Sequence, residues 1–72
     1  MTAAIDPRRI EYGVFDRGLP WIAPLRGKPY YYPNSTGCVM ASVLLSNNRI
    51  YFRTESEAEA AGLKRYVGAK GC

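Results

Sequence analysis

The chain has 72 residues, of which 47% are hydrophobic and 12% aromatic, with a formal net charge of +4 and no histidine. This size allows one domain with a core close to the smallest that folds unaided, and the apolar content argues against a disordered tail. No run of about 18 apolar residues is present, so we expect no transmembrane segment. The N-terminal residues carry several charges and no apolar stretch, so we expect no signal peptide and a cytoplasmic location.

Basic residues are concentrated in the middle and at the C-terminal end of the chain. No acidic residue lies between Asp16 and Glu55. Five bases lie in that interval: Arg17, Arg26, Lys28, Arg49 and Arg53. Such a distribution is typical of a surface that binds phosphate or an acidic protein face, and it is also found as ordinary solubility charge on small proteins.

The first third of the chain contains one predicted strand and one ambiguous apolar segment. Residues 1–9 include small residues, a proline and two arginines, which predicts a flexible basic arm. Residues 10–15 alternate in the manner of a strand, and the Asp-Arg-Gly sequence at 16–18 predicts a turn. Residues 19–25 are apolar, but their two prolines cannot donate to a ladder, so we expect an edge strand or an extended segment. Trp21 is either an anchor of the core or an exposed recognition residue.

The middle of the chain holds one strand and one element of undecided type. Tyr30, Tyr31 and Tyr32 predict a strand in which Tyr31 points to one face and its neighbours to the other, so at least one ring should be exposed. Turn-forming residues over 33–37 predict a loop. Residues 38–45 are continuously apolar, and periodicity does not distinguish a helix from a buried strand there.

The clearest unit is a strand followed by a helix. β-Branched and aromatic residues predict a strand over 50–53. Thr54 and Glu57 have the spacing of a capping box, which predicts a helix over 55–61, and Gly62 can end that helix in the left-handed conformation. Ser56 and Glu59 have the same spacing two residues later, so the sequence leaves two starting positions open.

Together these elements predict a small α+β fold, with an antiparallel sheet of three or four short strands and the helix at about 55–61 packed on it. The domain is expected to span residues 10–66. It would be flanked by the arm at 1–9 and by a flexible tail at 67–72.

Residues that could support metal binding or catalysis are scarce. The two cysteines, Cys38 and Cys72, are too few for a four-ligand zinc site within one chain. Their thiols could form a disulfide, but an intracellular location favours reduced thiols. Since there is no histidine base, no visible partner for a nucleophile and no glycine-rich phosphate loop, we expect no enzyme activity and no cofactor. The purified protein should contain less than stoichiometric zinc.

Four segments between Tyr30 and Gly62 follow one another in a distinctive order. They are an aromatic strand at 30–32, a cysteine loop at 36–38, an Ile-Tyr-Phe strand at 50–52 and a helix ending in Glu-Ala-Glu-Ala-Ala-Gly at 57–62. This order resembles the N-terminal zinc domain of the Ada-type DNA repair proteins, which accept methyl groups from phosphotriesters on a zinc-activated cysteine. The resemblance covers a little under half of the chain and implies an Ada-like scaffold.

The chain departs from this family at the positions that would hold zinc. Cys38 stands at one ligand position, but Ser42 occupies the second, and Tyr66 and Ala69 occupy the last two. Cys72 lies three residues too late. The resemblance therefore implies a degenerate, metal-free domain in which Cys38 is a poor nucleophile and repair activity is absent.

We therefore expect a non-catalytic binding module that regulates a larger nucleoprotein complex. The size and character of the chain resemble those of small bacteriophage regulators of host machinery, so an RNA polymerase-like complex is the leading expected partner and a defence complex another. We expect a monomer without membrane contact. The expected partner-binding residues are Arg8, Arg9, Trp21, Arg26, Lys28, Tyr31, Arg49 and Arg53.

A second hypothesis is direct nucleic-acid binding by the degenerate Ada-like domain. The basic side chains would contact phosphates. Nucleobases would stack on the tyrosine rings of the strands, which are Tyr30, Tyr31, Tyr32 and Tyr51. Tyrosines in strands more commonly pack across the sheet, and this alternative stays open at the level of sequence.

Overall fold

The computed structural model describes residues 7–35 and 43–67. The helices and strands in these ranges are α1 (Pro7–Tyr12), β1 (Trp21–Pro24), β2 (Tyr30–Pro33), a 3₁₀ helix (Ser46–Asn48), β3 (Arg49–Phe52), α2 (Glu55–Ala60) and β4 (Lys64–Arg65). Within the described ranges, neither α-helix has the length and apolar character needed to cross a bilayer.

The four strands form one sheet in the order β3-β1-β2-β4, so the predicted small α+β fold is confirmed. The prediction of a wholly antiparallel sheet is wrong, because the sheet is mixed. β1 is antiparallel to both of its neighbours, whereas β2 and β4 are parallel. The helix α2 connects β3 to β4 and returns the chain to the end of the sheet where β3 began. β4 therefore runs in the same direction as β3 and β2 and pairs with β2 in parallel, as is usual after a crossover connection. At the start of β4, the Lys64 N–H donates to the Pro29 carbonyl oxygen (2.9 Å).

β1 lies in the interior of the sheet, between β3 and β2. The edge position expected from its two prolines is therefore wrong. Pro24 is the last residue of the strand and Pro20 lies before its first residue. The residues between them keep their N–H groups, which is enough for a four-residue strand to pair on both sides.

The N-terminal segment is a helix, and the strand predicted over 10–15 is wrong. α1 begins at Pro7, and proline suits the first turn of a helix. Residues 7–9 of the predicted flexible arm are therefore helical, and residues 1–6 lie outside the described residues. The Gly13 N–H donates to the Arg9 carbonyl oxygen (2.7 Å), which continues the helical bonding by one step.

The alternating pattern failed because its apolar members are not a buried face. Ile10 and Tyr12 are 46% and 40% exposed, so their spacing carries no strand signal. Only Val14 of the predicted strand pairs with the sheet in the described residues, through two backbone hydrogen bonds to Tyr51 (2.9 and 2.8 Å). The turn predicted at 16–18 is confirmed, with the Gly18 N–H donating to the Asp16 side chain (2.9 Å).

Both faces of the sheet are packed. One face is covered by α2 and by the residues that follow it; its buried residues are Ala23, Leu25, Tyr31, Ile50, Phe52, Ala58, Ala61 and Leu63. The opposite face has Ile22, Tyr32 and Tyr51 as buried residues, with Leu19, Tyr30, Leu44 and Tyr66 packed against them. Alternate residues of β2 point to opposite faces, as predicted. The expectation that at least one of the three tyrosine rings is exposed is wrong, because both faces of the sheet are packed: Tyr31 and Tyr32 are buried and Tyr30 is half-buried.

The helix boundaries agree with the capping signals. The Glu57 N–H donates to the Thr54 hydroxyl (3.1 Å), and the Glu57 carboxylate accepts from the Arg53 N–H (3.0 Å). Gly62 has a φ of 90°, and the N–H groups of Gly62 and Leu63 donate to carbonyl oxygens of the last turn, which is a Schellman motif.

Some predictions fall on residues that are not described. These are the helix-or-strand alternative over most of 38–45, the family segment at 36–38, the state of Cys38 and Cys72, and nearly all of the tail at 67–72.

Candidate partner-binding surface

Tyr31, predicted as a partner-binding anchor, is fully buried at 0% exposure. Its hydroxyl lies 2.8 Å from Glu59 Oε2 and 3.1 Å from Glu55 Oε1, so it can donate to one carboxylate at a time. Burial, followed by the hydrogen bonds to Glu59 and Glu55, raises the pKa of Tyr31 far above its usual value. Tyr31 therefore joins α2 to the sheet, and its assignment as a contact residue is wrong.

Trp21 is half-buried, so it is neither a fully buried core anchor nor a fully exposed residue, and its role in recognition stays a prediction. Its ring makes an edge-to-face contact with Tyr31, with ring centroids 5.6 Å apart at 83°. The Arg65 guanidinium lies 5.2 Å from the centre of the Trp21 ring and forms an ion pair with Glu55 (3.1 Å). Trp21 thus packs against the core on one side and holds a cation on another.

The remaining tyrosines of the strands do not form an open stacking surface. Tyr32 and Tyr51 are 1% and 3% exposed. Tyr66 contacts both Tyr30 and Tyr32, with ring centroids 5.4 and 5.0 Å apart. Burial and the neighbouring Tyr66 and Tyr30 raise the pKa of Tyr32. Cross-strand packing is therefore the role of these rings.

Arg9, predicted to contact a partner from a flexible arm, is 6% exposed and points into the protein. Its Nη1 donates to the carbonyl oxygens of Pro24 and Leu25, the latter at 3.1 Å. Its Nη2 donates to the Lys28 carbonyl oxygen (3.4 Å). Direct partner contact by Arg9 is thus wrong, because its donors face the turn between β1 and β2.

Four basic residues from three segments of the chain lie at the end of the sheet where this turn is found. We call this surface the basic end; its residues are Arg26, Lys28, Arg49 and Lys64. Arg49 pairs with Pro24 at the end of β1, and Lys64 pairs with Tyr30 at the start of β2. The outer strands β3 and β4 are three strand spacings apart, or about 14 Å.

The side chains of the basic end face solvent and have no acidic neighbours among the described residues. Arg26, Lys28 and Lys64 are exposed, and Arg49 is half-buried with its Nε–H donating to the Leu44 carbonyl oxygen (2.7 Å). In residues 7–35 and 43–67, none of the four has a carboxylate oxygen within 4.0 Å. Their positive potential is therefore available to an anion.

The other predicted contact residues lie elsewhere. Arg53 follows the far end of β3, about 13 Å along the strand from Arg49, so these two bases do not belong to one cluster. Arg8 is an exposed residue of α1. Sequence reasoning missed Lys64, since nothing local to it indicates that a parallel strand brings it beside Tyr30.

In the described part of the chain, no group of three or more potential metal ligands is found. Comparisons of the chain with protein-family models, with curated proteins and with solved structures found no match. The resemblance to the Ada-type zinc domain therefore stays a prediction.

Proposed function

We propose that this protein is a non-catalytic module that docks its basic end onto an acidic surface of a larger protein or nucleoprotein complex and alters the activity of that complex. The observation that supports the proposal is the convergence of Arg26, Lys28, Arg49 and Lys64 from three chain segments without a nearby carboxylate in the described residues. Charge complementarity of this kind directs association and selects partners. An RNA polymerase-like complex or a defence complex, met by a cytoplasmic monomer, remains the expected context.

A protein face suits the exposed surface better than unpaired nucleobases do. The tyrosine rings of the sheet are packed against other side chains, so they offer no surface on which nucleobases could stack. Exposed apolar side chains occur instead on α1 and after it, and Phe15 is 65% exposed. Aromatic side chains such as that of Phe15 are enriched in the buried centre of protein–protein interfaces.

The second candidate is direct binding to the phosphate backbone of nucleic acid, on the degenerate Ada-like scaffold. The same basic end favours it, because phosphate contacts need cations and not stacking rings. Duplex nucleic acid, whose bases are already stacked, would be the suitable form.

An affinity pull-down from bacterial lysate, with and without nuclease, tests the proposal when it is run with two matched variants. Arg26→Glu/Lys28→Glu changes the basic end, and Arg17→Glu/Arg53→Glu changes exposed bases outside it; each pair takes the net charge from +4 to 0, since each substitution changes the charge by −2. We expect a defined complex that survives nuclease, is retained by the control pair and is reduced about tenfold or more by the first pair.

Loss of all recovered material on nuclease treatment would move direct nucleic-acid binding to first place. Equal recovery by both variant pairs would contradict the proposal, because the basic end would then contribute nothing beyond net charge.

A further inference from the structure

We infer that Arg9 and Asn48 are positioning residues of the basic end: their side chains fix the backbone of the β1–β2 turn, so that Arg26 and Lys28 are presented to an acidic partner in a preformed arrangement. This inference rests on the proposed function and adds to it the device that orders the binding surface.

Arg9 holds the β1–β2 turn by hydrogen bonds from its buried guanidinium to backbone carbonyl oxygens. One buried guanidinium donates to the carbonyl oxygens of Pro24 and Leu25 on one side of the turn and of Lys28 on the other. A guanidinium has five donors in a planar fork, whereas the three donors of a lysine ammonium share one nitrogen. Lysine at position 9 would keep the charge but could not span the same carbonyl groups.

Asn48 fastens the turn from the side of β3. Its Oδ1 accepts from the Arg26 N–H (2.8 Å), and its Nδ2 donates to the Arg26 carbonyl oxygen (3.1 Å). The backbone carbonyl of Asn48 accepts from the Leu25 N–H (2.9 Å). The backbone of Arg26 is therefore held on both of its polar groups by a single side chain.

The turn needs these bonds because it has little packing of its own. Arg26, Gly27, Lys28 and Pro29 are all exposed. Gly27 has a φ of 115°, and no heavy atom would lie within 4 Å of a Cβ at that position. A loop of this kind loses conformational entropy when a partner fixes it, and a backbone that is already fixed avoids much of that loss.

The test is binding of fluorescein-labelled heparin, a polyanion that probes charge alone, measured by anisotropy at several salt concentrations. For Arg9→Lys and for Asn48→Ala we expect about fivefold to tenfold weaker binding than for the wild-type chain. The slope of log Kd against log salt concentration should stay unchanged, because the cations that contact the probe are the same. Arg26→Ala should lower that slope, and the exposed control Arg53→Lys should change neither quantity.

If Arg9 and Asn48 only stabilised the fold, their substitution would lower the melting temperature but would not change the affinity of the folded protein. Binding is therefore measured well below the melting transition, and circular dichroism confirms that each variant is folded. Wild-type affinity in folded Arg9→Lys would overturn the inference. A changed slope would overturn it too, because Arg9→Lys keeps the charge and a changed slope would mean that a different set of cations contacts the anion. If Arg9→Lys does not fold, Asn48→Ala decides in the same way. If the wild-type chain does not bind heparin, the proposed function fails first, and this result is distinct from a failure of the positioning role alone.

Discussion

Gly13, the residue that follows α1, lies against Ile50 of β3, and its substitution by alanine gives a sharp test of this packing. A Cβ at position 13 would overlap two side-chain carbons of Ile50 and would lie 2.9 Å from the Arg9 carbonyl oxygen. Normal carbon contacts are about 3.5 to 4.0 Å, so the helix or Ile50 would have to move by about 1 Å. Because Ile50 is fully buried, it has little room to move.

The change in the free energy of unfolding caused by Gly13→Ala follows from two opposing effects. Overpacking of this kind costs about 1 to 3 kcal/mol, whereas replacing glycine by alanine at a conformation that alanine tolerates stabilises by about 0.4 to 1 kcal/mol. The backbone of Gly13 does not have a positive φ, so the second effect applies. The net expectation is a loss of about 1 to 2 kcal/mol, which for a domain of this size lowers the melting temperature by about 5 to 15 °C.

Thermal unfolding followed by circular dichroism measures this loss, and Gly18→Ala is the matched control. A Cβ at Gly18 would meet only the Asp16 Oδ1, at an ordinary 3.4 Å. Gly18→Ala should therefore melt within a few degrees of the wild-type chain. If Gly13→Ala melts together with Gly18→Ala, then α1 does not pack on β3 as described.

Two further predictions concern the alkaline limit of stability and the end of α2. Burial and hydrogen bonds to carboxylates raise the pKa of Tyr31, so the folded chain keeps the hydroxyl proton at a pH at which the unfolded chain releases it, above the usual tyrosine value of about 10. The stabilisation of the folded state by Tyr31 is therefore complete below about pH 10 and is lost as the pH rises further. Denaturant unfolding should show stability falling above about pH 10, with a weaker fall in Tyr31→Phe, and an equal fall in both proteins would argue against this role. Gly62→Ala should lower the free energy of unfolding by about 1 kcal/mol, since Gly62 has a φ of 90°, and an unchanged denaturation midpoint would contradict the Schellman ending of α2.

The strand–helix unit could be predicted from sequence because its signals are local. The Thr54 cap, the acidic first turn and the Gly62 ending each involve residues at most five positions apart, and the structure has all of them. Tertiary context decided the rest. α1 is held by the long-range bonds of Arg9 and by the closeness of Gly13 to Ile50, and neither has a signature in the sequence.

The candidate site could be predicted in part for the same reason. Arg26, Lys28 and Arg49 stood out as basic residues without acidic neighbours. Arg53 was grouped with them, although the strand predicted over 50–53 already separates Arg53 from Arg49 by its own length. The misassignment of Tyr31 has a related cause. Its carboxylate partners are more than twenty positions away on α2, so only the folded chain shows why its ring is buried.

The most direct test of the central claim is a map of the surface that contacts an anion, obtained from amide chemical shifts of the ¹⁵N-labelled chain during titration with heparin oligosaccharide. The proposal predicts that the largest shifts fall on amides of residues 25–28, of residues 48–49 and of Lys64, because these surround the basic end. Shifts that centre instead on Arg17 and Arg53, or that are spread evenly over all bases, would contradict the assignment of the basic end as the binding surface.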